Sequence, residues 1–103
     1  MSLTLAADGD QDALQAQIDQ AQASALGMSL TQDVANMPAN YCTPSHLAET
    51  ALELAENYGF KATILEREQM LEMGMGSFMS VAQGSAQPPK LICLHYQGAS
   101  KDE

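Results

Sequence analysis

Apolar positions along this chain change their period several times, and each change predicts an element boundary. From Gln11 to about Asn36, Leu14, Ile18, Ala21, Ala25 and Met28 recur at helical spacing, and Leu30 and Val34 continue a related stripe. Gln15, Asp19 and Gln22 occupy the opposite face, so a long helix is expected with its glutamines in solvent. Asp10 is placed to cap it, with Asp8 and Asp12 at the positive end of its dipole. Gly27 is the weak point at which such a helix would bend or divide. Asn36-Met37-Pro38-Ala39-Asn40-Tyr41-Cys42-Thr43-Pro44 then interrupts the helix formers. Pro38 biases Met37 away from helical geometry, while Thr43 can cap a new helix that Pro44 opens. This second helix is predicted over Pro44 to Tyr58. Leu47, Ala51, Leu54, Ala55 and Tyr58 would be buried, Glu49, Glu53 and Glu56 wet, and Gly59 the left-handed cap.

Beyond Gly59 the pattern shortens. Phe60 to Leu65, with β-branched Thr63 and Ile64, reads as a strand. Glu66, Arg67 and Glu68 open a short helix carrying Met70, Leu71 and Met73, which Gly74 ends. A further short helix is expected over Met75 to Ala82, with Phe78, Val81 and Ala82 on one side. Gly84 and Pro88-Pro89 break the chain again. Leu91 to Tyr96 is a nearly continuous apolar run, as in a strand covered on both faces, and Ser100 to Glu103 form a polar tail. Two strands are too few for a self-sufficient sheet, so the order reads as the opening of a larger α/β domain.

Composition narrows the classes. With 103 residues there is room for one small domain; 46 % are hydrophobic, but many of these are alanine and none is Trp, so a thin core is expected. Four Lys and Arg against 13 Asp and Glu give a net charge of −9, which disfavours nucleic acid and anionic membrane surfaces as partners. No apolar run approaches membrane-spanning length and no signal-peptide pattern opens the chain, so a soluble, cytoplasmic protein is expected. Cys42 and Cys93 lie about fifty positions apart, with no second Cys or His at ligand spacing, and read as two reduced, buried thiols.

Each candidate for chemistry has a plainer structural account. Gly74-Met75-Gly76 has the look of a dinucleotide-binding turn, but it follows a helix and lacks the third glycine, so helix termination is the better reading. Met70, Met73, Met75 and Met79 could form a soft-metal patch, yet thioethers at helical spacing read as core filler. Cys42 with His46 is the sharpest catalytic pairing, a thiol beside a helix N-terminus, but no oxyanion-hole motif or orienting group accompanies it. His95 reads as a satisfied core or edge histidine, and Glu66, Glu68 and Glu72 as a solvated charged face interrupted by Arg67. No catalytic, metal or cofactor-binding residue is assigned.

The N-x-P-x-N-x-x-T-P spacing of Asn36 to Pro44 resembles the junction in the dinuclear-metal leucyl (cytosol) aminopeptidase family. Further segments agree in the same order. They are Leu47-Ala48, Leu54-Ala55 and Tyr58-Gly59, then Met73 to Ser85 with its M-G-x-x-x-x-V-x-x-G-S string, and Pro88-Pro89-Lys90 with His95-Tyr96-Gln97-Gly98. The resemblance runs from about Leu26 onward.

It implies an N-terminal tail and linking helix over 1–36, followed over 37–103 by the incomplete start of a three-layer α/β/α catalytic domain of the zinc-exopeptidase kind. Strands 60–65 and 90–97 would then be antiparallel neighbours, which periodicity alone does not give. The implied parent is a cytoplasmic homo-hexamer that removes N-terminal residues, notably leucine, from peptides. Its two divalent ions (manganese or zinc) are held by one Lys, three Asp and one Glu, in motifs of the type V-G-K-G-x-x-x-D and N-T-D-A-E-G-R. Neither motif occurs here. The first would begin shortly after His95-Tyr96-Gln97-Gly98, so no ligand transfers to this chain, which is expected to hold no cofactor and to be inactive alone. The family's N-terminal domain, which carries DNA contacts in some bacterial members, also has no counterpart. The alternative is a non-catalytic module, a homo-oligomer joined through open strand edges and apolar helix faces.

Overall fold

The computed structural model describes residues 4–98, so the polar tail expected at 100–103 lies outside the described residues. The chain divides into two compact units between Asn36 and Met37.

The first unit is dominated by α1 (Gln11–Asn36), a single 26-residue helix in which no residue is buried. Its start is chemically explicit: the Asp10 side chain accepts from the N–H of Asp12 at 3.0 Å and, more weakly, of Ala13 at 3.4 Å. The division expected at Gly27 does not occur. Helical hydrogen bonding continues through that position, and the Thr31 hydroxyl donates back to the Gly27 carbonyl at 2.9 Å. A Cβ at Gly27 would meet nothing within 4 Å. Gly27→Ala is therefore expected to stabilise α1 by about 1 kcal/mol through backbone entropy alone, readable as a rise in the helix signal on heating. An unchanged or lower signal would show that Gly27 has a packing role.

The second unit begins with the proline turn. Tyr41 and Cys42 both donate their N–H groups to the Pro38 carbonyl at 2.9 Å. Thr43 is extended and its hydroxyl accepts from the His46 N–H at 3.3 Å, which starts α2 (Pro44–Tyr58). Gly59, at φ 72, closes it, and the N–H groups of Gly59 and Phe60 both reach the Ala55 carbonyl. The buried face keeps Ala51, Leu54 and Ala55 of the stripe read in the sequence but takes Ala48 in place of Leu47 and leaves Tyr58 out. Ala48 and Ala51 are buried and Leu54 and Ala55 half-buried, whereas Leu47 and Tyr58 are exposed. Small side chains at the contact let the helix backbone approach the sheet closely, and the larger ones flank it.

Strands β1 (Lys61–Leu65) and β2 (Leu91–His95) pair antiparallel, as the family resemblance implied, each slightly shorter than the apolar run that announced it. Their register pairs Lys61 with His95 and Leu65 with Leu91. Side chains carry it one step past each end. Phe60 meets Tyr96 edge-to-face with ring centroids 5.3 Å apart, and at the other end the Lys90 ammonium donates to both carboxylate oxygens of Glu66 at 2.5 and 2.6 Å. Glu66→Gln should cost only about 0.5 kcal/mol, because Glu66 is half exposed, and the difference from wild type should vanish in 1 M salt. A salt-independent loss would mean that the contact is not electrostatic.

Helix α2 packs against both strands. The half-buried positions Ala62, Ile64 and Ile92 alternate with Lys61, Thr63 and Cys93, which are exposed. The expectation that Leu91 to Tyr96 is covered on both faces therefore fails. Leu91 and Ile92 are half-buried, but Cys93, Leu94, His95 and Tyr96 are exposed. One helix covers one face of a two-stranded sheet, and among the described residues no second layer covers the other. Helices α3 (Arg67–Glu72) and α4 (Gly76–Ala82) pack on each other. Met70 is completely buried and Met79 nearly so, as core filler should be, but Met73 is exposed. In α4 the expected side differs as well: Met79 turns inward and Val81, at 84 % exposure, outward.

Candidate functional site

The structure separates most of the residues that could carry chemistry. Cys42 and His46 flank the N-terminus of α2 and are both half-buried, but no hydrogen bond joins them; the His46 backbone serves the Thr43 cap instead. Gly74 adopts φ 73 and donates to the Leu71 carbonyl, while Met75 donates to that of Met70. Gly74-Met75-Gly76 is thus a turn between two short helices rather than the strand-to-helix loop that would cradle a phosphate.

The acidic group is divided as well. Glu66 is committed to Lys90, and its own N–H donates at 2.8 Å to the Gln69 side chain, which ties down the start of α3. Glu68 and Glu72 are exposed. Among the described residues no group of three or more His, Cys, Asp or Glu side chains is arranged to hold a metal ion.

Sequence reasoning did miss one juxtaposition. The register places Lys61 opposite His95 and Thr63 opposite Cys93, so the open face of the sheet presents an exposed thiol and imidazole two residues apart. The reading of Cys93 as a buried thiol and of His95 as a core histidine is corrected here, for the reason given above: the covering layer is absent among the described residues. Cys42 and Cys93 are both free, as expected. No side-chain hydrogen bond or ion pair links Cys93, His95, Thr63 and Lys61, so the face offers groups without an assembled site. No helix among the described residues is long and apolar enough to cross a membrane.

Residues 29–103 match the sequence profile of the cytosol aminopeptidase family's catalytic domain. The chain belongs to that family. It is similar, at 61 % identity over 102 residues, to a protein of Hydrogenovibrio crunogenus named probable cytosol aminopeptidase; the match covers 99 % of this chain and 20 % of that protein. The cytosol aminopeptidase of Pseudomonas aeruginosa is 50 % identical over 103 residues, covering 98 % of this chain and 21 % of the relative. A probable cytosol aminopeptidase of Aromatoleum aromaticum is 50 % identical over 91 residues, 87 % of this chain and 18 % of its own length. The chain thus spans about a fifth of the length of the curated relatives it matches. The Asn36–Pro44 junction and the Met73–Ser85 string fall inside the family match.

Proposed function

We propose that this chain is the linking helix (1–36) and the opening part of the catalytic domain (37–103) of a leucyl aminopeptidase, and that it supplies scaffold rather than reacting groups. The observation that carries this reading is the family match over 29–103, to relatives roughly five times longer. The whole protein would be a cytoplasmic metallo-exopeptidase and a homo-hexamer acting on peptide N-termini, its sheet extended into a three-layer domain. Its two divalent ions, manganese or zinc, would supply an activated water and polarise the scissile carbonyl. The residues described here do not fit such a centre. It needs clustered carboxylates, and here Glu66 is neutralised by Lys90 while Glu68 and Glu72 stand in solvent. The ligands would come from parts of the protein beyond the segment shared with this chain.

On this reading the chain does three things. The junction turns the chain from α1 into α2, α2 holds the β1–β2 pair, and the exposed sheet face and edges receive the rest of the domain. A second reading is favoured by those same edges, each of which lacks a partner strand among the described residues. In it the chain is a non-catalytic module that self-associates through them and through apolar helix faces. Hydrolysis of leucine p-nitroanilide with Mn²⁺, beside a chelated control, tests the proposal. The 103-residue chain is expected to give no turnover above the control. Turnover that survives purification and disappears with EDTA would overturn the assignment of the metal site to other residues.

A further inference from the structure

We propose that Asp8-Gly9 is a self-modification site, at which the chain converts Asp8 to isoaspartate through a succinimide. The sequence supplies this dipeptide once. Of the aspartates at 8, 10, 12, 19, 33 and 102, Asp8 alone precedes a glycine, and the three asparagines precede Met37, Tyr41 and Tyr58. Ring closure requires the backbone nitrogen of the next residue to reach the carboxyl carbon, and a side chain on that residue crowds the approach. Glycine carries none.

The structure leaves the dipeptide unrestrained. Asp8 and Gly9 lie exposed in the non-helical segment before α1. Among the described residues, the Gly9 N–H and the Asp8 carboxylate enter no hydrogen bond or ion pair. Gly9 stands at φ 137, where residues with a side chain are strained, so the local backbone also calls for glycine. The neighbouring aspartates are held. Asp10 accepts from the N–H groups of Asp12 and Ala13. Asp12, Asp19 and Asp33 lie within α1, where the following N–H is already engaged, by Asp10 at Ala13 and by helical carbonyls at Gln20 and Val34.

The reaction balances with water alone. The Gly9 nitrogen attacks Cγ of the neutral Asp8 carboxyl; a C–N bond forms, a C–O bond breaks, and the amide proton leaves with the hydroxyl as water. Water then opens the ring. Addition at the Cγ carbonyl regenerates aspartate. Addition at the main-chain carbonyl leaves the backbone running through Cβ and Cγ, one methylene longer, with the former main-chain carbonyl now a free carboxylate. That carboxylate is the acceptor group for an isoaspartyl-directed carboxyl methyltransferase, the class of partner that the modified chain would recruit. The longer backbone also shifts the segment whose Leu5 and Ala7 sit beside Leu14 and Ile18. Every bond that changes lies within residues 8 and 9, so the inference does not depend on the peptidase reading.

The test ages the full chain in warm, mildly acidic buffer and cuts it with a protease that cleaves before aspartate but not before isoaspartate. Fresh chain should give separate peptides 1–7 and 8–9. Aged chain should accumulate an uncut 1–9 peptide of unchanged mass, preceded by the same peptide lighter by one water. Cleavage before Asp10, Asp12, Asp19 and Asp33 should stay complete. Aged chain should also accept methyl groups from the methyltransferase, and fresh chain should not. Asp8→Asn keeps Gly9 and closes the same ring with loss of ammonia, so at neutral pH it should accept methyl groups sooner than the wild type. Gly9→Val should remove the acceptance. An aged chain still cut fully before Asp8, cleavage lost before Asp10 or Asp19 as fast as before Asp8, or a Gly9→Val chain methylated as fast as the wild type would each overturn the proposal.

Discussion

Met70→Ala should lower the stability of the 37–98 unit by about 2–4 kcal/mol, most of what so small a unit can possess. Met70 is the one large side chain with no exposure at all, set in α3 where it packs toward α4. Among the described residues the other buried apolar ones are Ala48, Ala51, Met79 and Pro89, so little else can close over the void. Met73→Ala is the matched comparison, because that side chain is 66 % exposed and its loss should cost less than about 0.5 kcal/mol. Met70→Leu, which nearly conserves volume, should cost under about 1.5 kcal/mol. Urea unfolding followed by circular dichroism gives all three midpoints. Equal midpoints for Met70→Ala and Met73→Ala would show that α3 and α4 are not held by this contact.

Ala51→Asp should be at least as damaging, about 4 kcal/mol or more at neutral pH. Ala51 is 5 % exposed on the face of α2 that packs against β1 and β2. A carboxylate there loses its water and gains no cation. Leu52→Asp, one position further on and 49 % exposed, controls for the poorer helix propensity of aspartate and should cost under about 1 kcal/mol. The pH dependence separates burial from a local helix effect. Desolvation raises the carboxyl's pKa in the folded state above its value of about 3.9 in the unfolded chain. Over that interval the native state binds more protons than the unfolded state, so stability falls as pH rises. The deficit against wild type should therefore be smallest near pH 4 and grow toward neutrality. A deficit independent of pH would place residue 51 in solvent.

The parts of this fold that could be read in the sequence are those whose chemistry is local. Thr43 with Pro44 and Gly59 mark both ends of α2, because capping and the left-handed conformation depend on the residues at the terminus and on little else. The antiparallel pairing of β1 and β2 came from likeness to a family, since periodicity says nothing about which strands meet. Register was not legible either. It becomes visible through Phe60–Tyr96 and Glu66–Lys90, pairs about 24 to 36 residues apart whose partners no local pattern links. Burial was misread where it depends on what else is present. An apolar strand such as Leu91–Tyr96 implies two covering layers, and α2 provides one; Cys93 and His95 therefore face outward. The same limit applies to candidate chemistry. Cys42 and His46 are close in sequence yet form no hydrogen bond, while Cys93 and Thr63 share a face only because of the register.

The most direct measurement on the central claim is made on a chimera in which this chain replaces the matching segment of the Hydrogenovibrio crunogenus relative. The segment differs at about two positions in five, and on the proposed reading the metal ligands lie outside it. The chimera should hydrolyse leucine p-nitroanilide with Mn²⁺ within about tenfold of the relative's own rate, a difference of about 1.4 kcal/mol in activation free energy. A folded, metal-loaded chimera no faster than its chelated control would contradict the account, because the chain would then not be an interchangeable scaffold for that catalytic domain.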